Sequence, residues 1–267
     1  MNNNYHLAIF DIDGTLRVEE KGTVPASTKS AILKLKEHNI PIVICTARSL
    51  DGIPANVLEL DFEYFICYNG AVIFDKNENV IKDSGISSED ALRLKKYYTD
   101  HNETFTYKFL SGKKIKYGND PWEDFTKRYF KKPIKSPNTM RNVEVDYSIE
   151  RLLFGTVKLL PNTVDEVREL FPSLTFTQVF DDYYDFTSNQ ANKGVAIHWL
   201  CKQLSLSSEN AVAFGDGLND ILMFQSVGMS VAMGNASDEV KQHANYVTTH
   251  IEEDGISNAI QHIFFNQ

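Results

Sequence analysis

Asp11 and Asp13 stand two residues apart in Asp11-Ile-Asp-Gly-Thr15, directly after the apolar run Tyr5–Phe10. In an extended chain, residues i and i+2 point to the same side, so both carboxylates can face one pocket. Gly14 lets the chain turn away there. At about 4 Å two such charges repel by about 4 kcal/mol in an effective dielectric near 20. A cation or a shared proton offsets that repulsion. The plainer reading is a turn whose aspartates cap a following helix.

Two further apolar runs end in polar tips. Ile40–Cys45 gives way to Thr46-Ala47-Arg48, which offers a hydroxyl and backbone N–H groups. Ala211–Phe214 gives way to Gly215-Asp216-Gly217-Leu218-Asn219-Asp220, which adds two carboxylates and an amide. Lys193 stands where a helix pattern begins, a place where its ammonium and the helix dipole both attract an anion. Alone, such a lysine reads as a solvated surface residue. The acids suit a hard divalent cation: Mg²⁺ takes oxygen ligands, and Asp11, the Asp13 region and Asp216 supply them. The histidines show no HxxxH spacing, so zinc is not indicated. The glycine patterns of dinucleotide folds and P-loops are missing too.

These tips serve one site only if the strands that carry them lie side by side. Apolar strands alternate with helix patterns in the first segment (helix from Pro25 to Asn39) and again in the last (helix from Lys193 to Leu204). That alternation predicts an α/β, Rossmann-like parallel-sheet core with helices on both faces. In such sheets ligands bind at the carboxyl ends of the strands. The middle differs. It is rich in aromatics and carries alternating strand patterns at 104–109, 154–159 and 175–180, with helix patterns near 89–100 and 162–171. We therefore expect an inserted α+β cap domain over residues 85–188, between core segments 1–84 and 189–267. Charge supports the division: sixteen basic and sixteen acidic residues cancel between Gly85 and Asp185, so the net −9 lies in the flanking segments.

The 267 residues are 42% hydrophobic and 24% charged, which disfavours disorder, collagen and coiled coil. The acidic balance argues against nucleic acid as a partner. No apolar run reaches membrane-spanning length, and the first residues lack the regions of a signal peptide, so a soluble cytoplasmic protein with no membrane partner is expected. Cys45, Cys67 and Cys201 lie in apolar stretches and read as buried free thiols.

Taken in order, Asp11-Ile-Asp-Gly-Thr15, Thr46, Lys193-Gly194 and Gly215–Asp220 resemble the four motifs of the haloacid dehalogenase-like phosphatases. Tyr68-Asn-Gly-Ala71, Gly215–Met223, Val231–Ala236 and Asp254-Gly-Ile256 resemble its Cof-type branch. The resemblance implies a Mg²⁺-dependent phosphatase of small phosphate monoesters, sugar phosphates or similar metabolites. Asp11 would be the nucleophile, forming an aspartyl-phosphate, and Asp13 the general acid and then base. Mg²⁺ would be held by the Asp11 carboxylate, the Asp13 backbone carbonyl and Asp216, with Asp220 either a further metal contact or the group that orients Lys193. Thr46 and Lys193 would complete the catalytic set. Phosphate oxygens would be held by Thr46, the backbone N–H groups of Ile12 and Ala47, Lys193 and Asn219. Ala47 stands where many relatives have glycine, which still leaves a backbone N–H.

A phosphomutase of the same superfamily is the alternative. A phospho-accepting receiver module fits poorly, because such modules are about half this length and lack an acid at the position of Asp13. A monomer or small homo-oligomer is expected. In the cap, ten basic residues (Lys108, Lys113, Lys114, Lys116, Lys127, Arg128, Lys131, Lys132, Lys135, Arg141) face three acids (Asp120, Glu123, Asp124) and alternate with Trp122, Phe125, Tyr129 and Phe130. The stretch reads as a solvated helix face over a buried aromatic stripe, or as a positive surface that draws in phosphorylated metabolites. Asp181-Asp182-Tyr-Tyr-Asp185 reads as acidic turn residues or as contacts to sugar hydroxyls.

Overall fold

The computed structural model describes residues 5–118, 139–160, 162–180 and 182–265. The chain forms two compact units, Met1–Asp83 with Ala191–Gln267, and Ser84–Gln190. In chain order the first unit supplies β1 (Leu7–Phe10), α1 (Ala26–Glu37), β2 (Ile42–Cys45), α2 (Ala55–Leu58), β3 (Tyr64–Cys67), β4 (Val72–Asp75) and β5 (Val80–Asp83). The second unit holds α3 (Ser88–Asp100), β6 (Phe105–Phe109), β7 (Lys114–Tyr117), β8 (Thr139–Arg141), β9 (Leu152–Lys158), α4 (Val164–Leu170), β10 (Leu174–Phe180) and β11 (Tyr183–Ser188). The chain then returns with α5 (Lys193–Gln203), β12 (Ala211–Gly215), α6 (Ile221–Phe224), β13 (Met229–Ala232), α7 (Asp238–Lys241), β14 (Tyr246–Val247) and α8 (Gly255–Ile260).

The first unit is built on an eight-stranded sheet in the order β14-β13-β12-β1-β2-β3-β4-β5. From β14 to β3 every pair is parallel. Alternate residues of the central strands serve opposite faces. Leu7, Ile9, Val43 and Cys45 pack with Ala196, Ile197 and Leu200 of α5 and Phe224 of α6. Phe10 goes the other way, stacked on Phe214 with ring centroids 4.7 Å apart and edge-on to Phe62. With both faces covered, the central strands are apolar throughout, as the uninterrupted runs predict.

The far edge is antiparallel: β4 turns back on β3, and β5 turns back on β4. Residues 68–71 between β3 and β4 are too few for a parallel crossover, which needs a dozen or more. The expected parallel sheet is therefore a mixed one. β5, with Val80 and Ile81 exposed, gave no apolar run to read.

The second unit holds a six-stranded sheet in the order β10-β11-β9-β6-β7-β8, antiparallel except where β7 meets β8. Phe105, Tyr107 and Phe109 point from β6 into a core with Ala91, Leu94 and Tyr98 of α3 and Phe186 of β11. The buried Tyr107 hydroxyl donates to the Ala91 carbonyl at 3.1 Å. Tyr183–Ser188 forms strand β11 rather than an acidic turn, and Asp185 accepts a hydrogen bond from the Thr156 hydroxyl at 2.7 Å. Of the basic stretch, Lys116 is buried, Lys113 pairs with Glu150, and Lys108 lies 4.4 Å over the Phe154 ring. Lys127, Arg128, Lys131, Lys132, Lys135, Asp120, Glu123, Asp124, the four aromatics among them, and Asp181 lie outside the described residues. All three cysteines are buried and free. Among the described residues, no helix is long and apolar enough to cross a membrane.

Candidate active site

Sheet register brings the polar tips together. Phe10, the last residue of β1, pairs with Phe214 on one side and Ile44 on the other. Parallel strands end at the same edge, so Asp11, Cys45-Thr46 and Gly215-Asp216 emerge side by side. One carboxylate oxygen from each of Asp11, Asp216 and Asp220 lies within 4.8 Å of the others. α5 delivers Lys193 into the same place, and Asn192 caps that helix by accepting the Val195 N–H at 2.8 Å. The Lys193 ammonium donates to Asp11 Oδ1 at 2.7 Å and to Asp220 Oδ1 at 2.6 Å.

Burial sets the electrostatics. It pushes Asp11 up to about 8, against the pull of Lys193 and with the help of Asp220. It likewise raises Asp216 to about 6, offset in part by the Thr15 hydroxyl. For Lys193 burial acts downward, but the Asp11 and Asp220 carboxylates more than reverse it, so the ammonium is held. The Cys45 thiol beside them is pushed up to about 12 by burial and is no nucleophile.

Each acid is held differently. Lys193 occupies one oxygen of Asp11, which leaves the other to a ligand. Asp216 accepts from the buried Thr15 hydroxyl at 2.8 Å. Asp220 is already engaged at both oxygens: Oδ1 by Lys193, and Oδ2 by the N–H groups of Asp216 and Gly217, each at 2.9 Å. It ties the lysine to the loop that bears Asp216. Gly14 lies against that loop: its φ is +78°, and a Cβ there would sit 2.0 Å from Asp216 Oδ2.

Asp13 stands outside the acidic cluster. Its carboxylate takes two hydrogen bonds from Arg48, at 2.5 and 2.8 Å, and a third from Arg17 at 3.3 Å. Thr46 is buried at the end of β2, and its hydroxyl accepts the Arg48 N–H at 3.2 Å. Ala47 is exposed, whereas the Ile12 side chain is buried in the core. Asn219 is exposed and donates to Asn69 Oδ1 at 3.0 Å. Asn69 sits in a run of three left-handed residues, Tyr68, Asn69 and Gly70, with φ of 50°, 54° and 100°. A buried tyrosine in that conformation is strained. It is held by N–H bonds from Tyr68 to the Arg48 carbonyl and from Asn69 to the Thr46 carbonyl, both 3.0 Å.

The sequence reading gave no role to Thr15, Arg48, Asn69 or Asn235. Each is an ordinary polar residue whose partner is distant in the chain. Thr15, Asn69 and Asn235 lie within segments that carry the family resemblance, and Arg48 follows the end of a strand, but those signals did not say what each side chain touches.

A family model described as haloacid dehalogenase-like hydrolase matches residues 8–260. A 5-amino-6-(5-phospho-D-ribitylamino)uracil phosphatase of Bacillus subtilis is 28% identical over 96% of this chain and 94% of its own. A Streptococcus pyogenes protein, whose name joins a phosphatase to a peptidyl-prolyl cis-trans isomerase, is 27% identical over 96% of this chain. The chain spans only 53% of that protein's length. The solved structure of a haloacid dehalogenase subclass IIB sugar phosphatase matches with a TM-score of 0.78 at 27% identity, covering 96% of this chain and 98% of that one. The matched family spans nearly all of the sequence and includes every tip of the site: the chain belongs to the haloacid dehalogenase-like hydrolases.

Proposed function

We propose that this chain hydrolyses small phosphate monoesters, sugar phosphates or similar metabolites, through an aspartyl-phosphate on Asp11, with Mg²⁺ as cofactor. One observation carries the reading: three carboxylates within 4.8 Å of one another, with the buried ammonium of Lys193 between two of them. When ionised, Asp11, Asp216, Asp220 and Lys193 sum to a net charge of about −2, which a divalent cation balances. The donors are all oxygen, as Mg²⁺ requires. Asp11, Asp216 and the Asp13 carbonyl would hold the ion; Asp220, engaged at both oxygens, serves by fixing Lys193 and the Asp216 loop. When bound, the ion supplies charge neutralisation between the anionic nucleophile and the anionic ester.

The chain's own groups divide the work. An Asp11 oxygen attacks phosphorus, the P–O bond to the alcohol breaks, and Asp13 gives its proton to the departing oxygen. Asp13 then takes a proton from water as that water attacks the aspartyl-phosphate, which releases phosphate and restores Asp11. Lys193 holds Asp11 in place and neutralises charge on the transferring group. The Thr46 hydroxyl, the N–H groups of Ile12 and Ala47, and Asn219 hold phosphate oxygens. These core groups address only the phosphoryl unit, so we assign selection of the alcohol to the inserted unit Ser84–Gln190. The relatives' named substrates, a phosphorylated ribityl compound and sugar phosphates, fall in the same class.

The test is Asp11→Asn with p-nitrophenyl phosphate as substrate. Turnover should disappear while the circular dichroism spectrum stays that of the parent. Parent activity should vanish in EDTA and return with Mg²⁺. Full turnover by Asp11→Asn removes the nucleophile assignment, and unchanged rates after chelation remove the metal.

A further inference from the structure

Asn235 lies in the turn after β13, outside the groups assigned so far. β13 is the parallel neighbour of β12, with Ala232 beside Gly215, so the chain leaving β13 emerges next to the Asp216 loop. The Met233 N–H continues the pairing to the Gly215 carbonyl at 3.0 Å. Gly234 then packs so closely on the 249–250 backbone that a Cβ would sit 2.5 Å from the His250 nitrogen. This fixes where Asn235 projects.

Its side chain joins three separate segments. Nδ2 donates to the Gly14 carbonyl at 2.8 Å and approaches Asp216 Oδ2 at 3.4 Å. Oδ1 accepts the N–H of the buried Ile251 at 3.1 Å. Because the oxygen is committed to an N–H, the amide has one orientation, with its donor end toward the Asp216 carboxylate. Thr15 holds the opposite oxygen of that carboxylate at 2.8 Å. Asp216 is thus gripped at both oxygens, by a hydroxyl and by an amide. A neutral donor suits this place, since a second carboxylate would repel Asp216.

We propose that Asn235 is a positioning residue for the metal: it orients Asp216, and through the Gly14 carbonyl it sets the Asp11–Asp13 turn, so that both present oxygens to one divalent cation. The inference rests on the Mg²⁺ reading above. Groups that orient metal ligands by hydrogen bonding typically change metal affinity by 10- to 100-fold when removed.

The experiment is calorimetric titration of the phosphate-free protein with Mg²⁺ alone, on the parent, Asn235→Ala and Asn235→Ser. The serine keeps a small polar side chain but is too short to reach the Ile251 N–H, the Gly14 carbonyl or Asp216. Both variants should bind Mg²⁺ about tenfold more weakly, while the melting temperature in EDTA shows that the fold persists. A variant that loses stability in EDTA yet binds Mg²⁺ like the parent makes Asn235 a purely structural residue and overturns the proposal. A parent that binds no Mg²⁺ overturns the metal reading itself, and this inference with it.

Discussion

Lys193 Nζ donates to Asp220 Oδ1 at 2.6 Å, and both side chains are fully buried. A buried pair of this kind contributes little net stability, but removing one partner strands the other and costs about 3–5 kcal/mol. Lys193→Met should therefore destabilise the protein by that order. The sign with pH follows from the carboxylates. Asp11 and Asp216 are raised from 3.8 to about 8 and about 6, so the folded chain holds protons that the unfolded chain has released. The contribution of these two carboxylates to stability in EDTA should be greatest below pH 4 and fall as pH rises toward 8. The fall should steepen in Lys193→Met, where nothing offsets the anions. Urea unfolding at pH 5 and pH 8 measures it, and a flat profile in both proteins contradicts the arrangement.

Under the proposed metal reading, Mg²⁺ must displace those same protons. Its affinity should climb between pH 6 and pH 8, by up to about tenfold per pH unit for each proton released. Titrations in two buffers of different ionisation enthalpy count the protons directly. An affinity independent of pH across this range would show that Asp11 and Asp216 are already ionised.

Gly14→Ala combines two effects that a control separates. The new methyl must adopt a left-handed φ of +78° and would strike Asp216 Oδ2 at 2.0 Å. Gly22 has a similar φ of +67°, yet its nearest neighbour is the flexible end of Arg17 at 3.1 Å. Both alanine variants should lose about 1 kcal/mol from backbone strain. Only Gly14→Ala should lose turnover, by about a hundredfold or more, because it displaces Asp216, the proposed metal ligand. Equal activity in the two variants would detach Asp216 from the chemistry.

Arg48 is the main anchor of Asp13. Arg48→Ala should lower kcat by about a hundredfold, since misplacing Asp13, the proposed acid-base group, costs that much, while Mg²⁺ affinity stays near that of the parent. Arg48→Lys should recover little, because an ammonium cannot reproduce the paired N–H geometry. If Arg48→Ala leaves kcat intact, Asp13 needs no anchor from this residue.

Much of the core and its site was legible in the sequence, and the reason is local. Asp11, Thr46 and Asp216 each follow an uninterrupted apolar run, and a doubly covered parallel sheet turns such runs into aligned strands. What escaped the reading depends on pairings that local pattern does not encode. The antiparallel β4–β5 edge follows from the shortness of the 68–71 connection. The sequence leaves Asp220 as either a metal contact or the group that orients Lys193, and spacing cannot choose; its bonds to Lys193 and to the N–H groups of its own loop favour the second. Asn235 meets Gly14 across 221 positions of sequence. In the inserted unit, the alternation in β6 marked its buried aromatics, but the acidic letters Asp181, Asp182 and Asp185 concealed the strand Tyr183–Ser188.

The pairing of β1 with β12 also bears on how the molecule comes into being. Leu7 meets Ala211 in register, so the strand preceding Asp11 waits for more than two hundred residues of synthesis before it gains that neighbour. Contacts of such high separation are slow to form, because a long loop must close before they stabilise anything. A nascent chain halted after the inserted unit would carry Asp11 and Asp13 yet hold neither the lysine nor Asp216. Competence should therefore arise only late in translation, when the returning segment slots in beside the first strand.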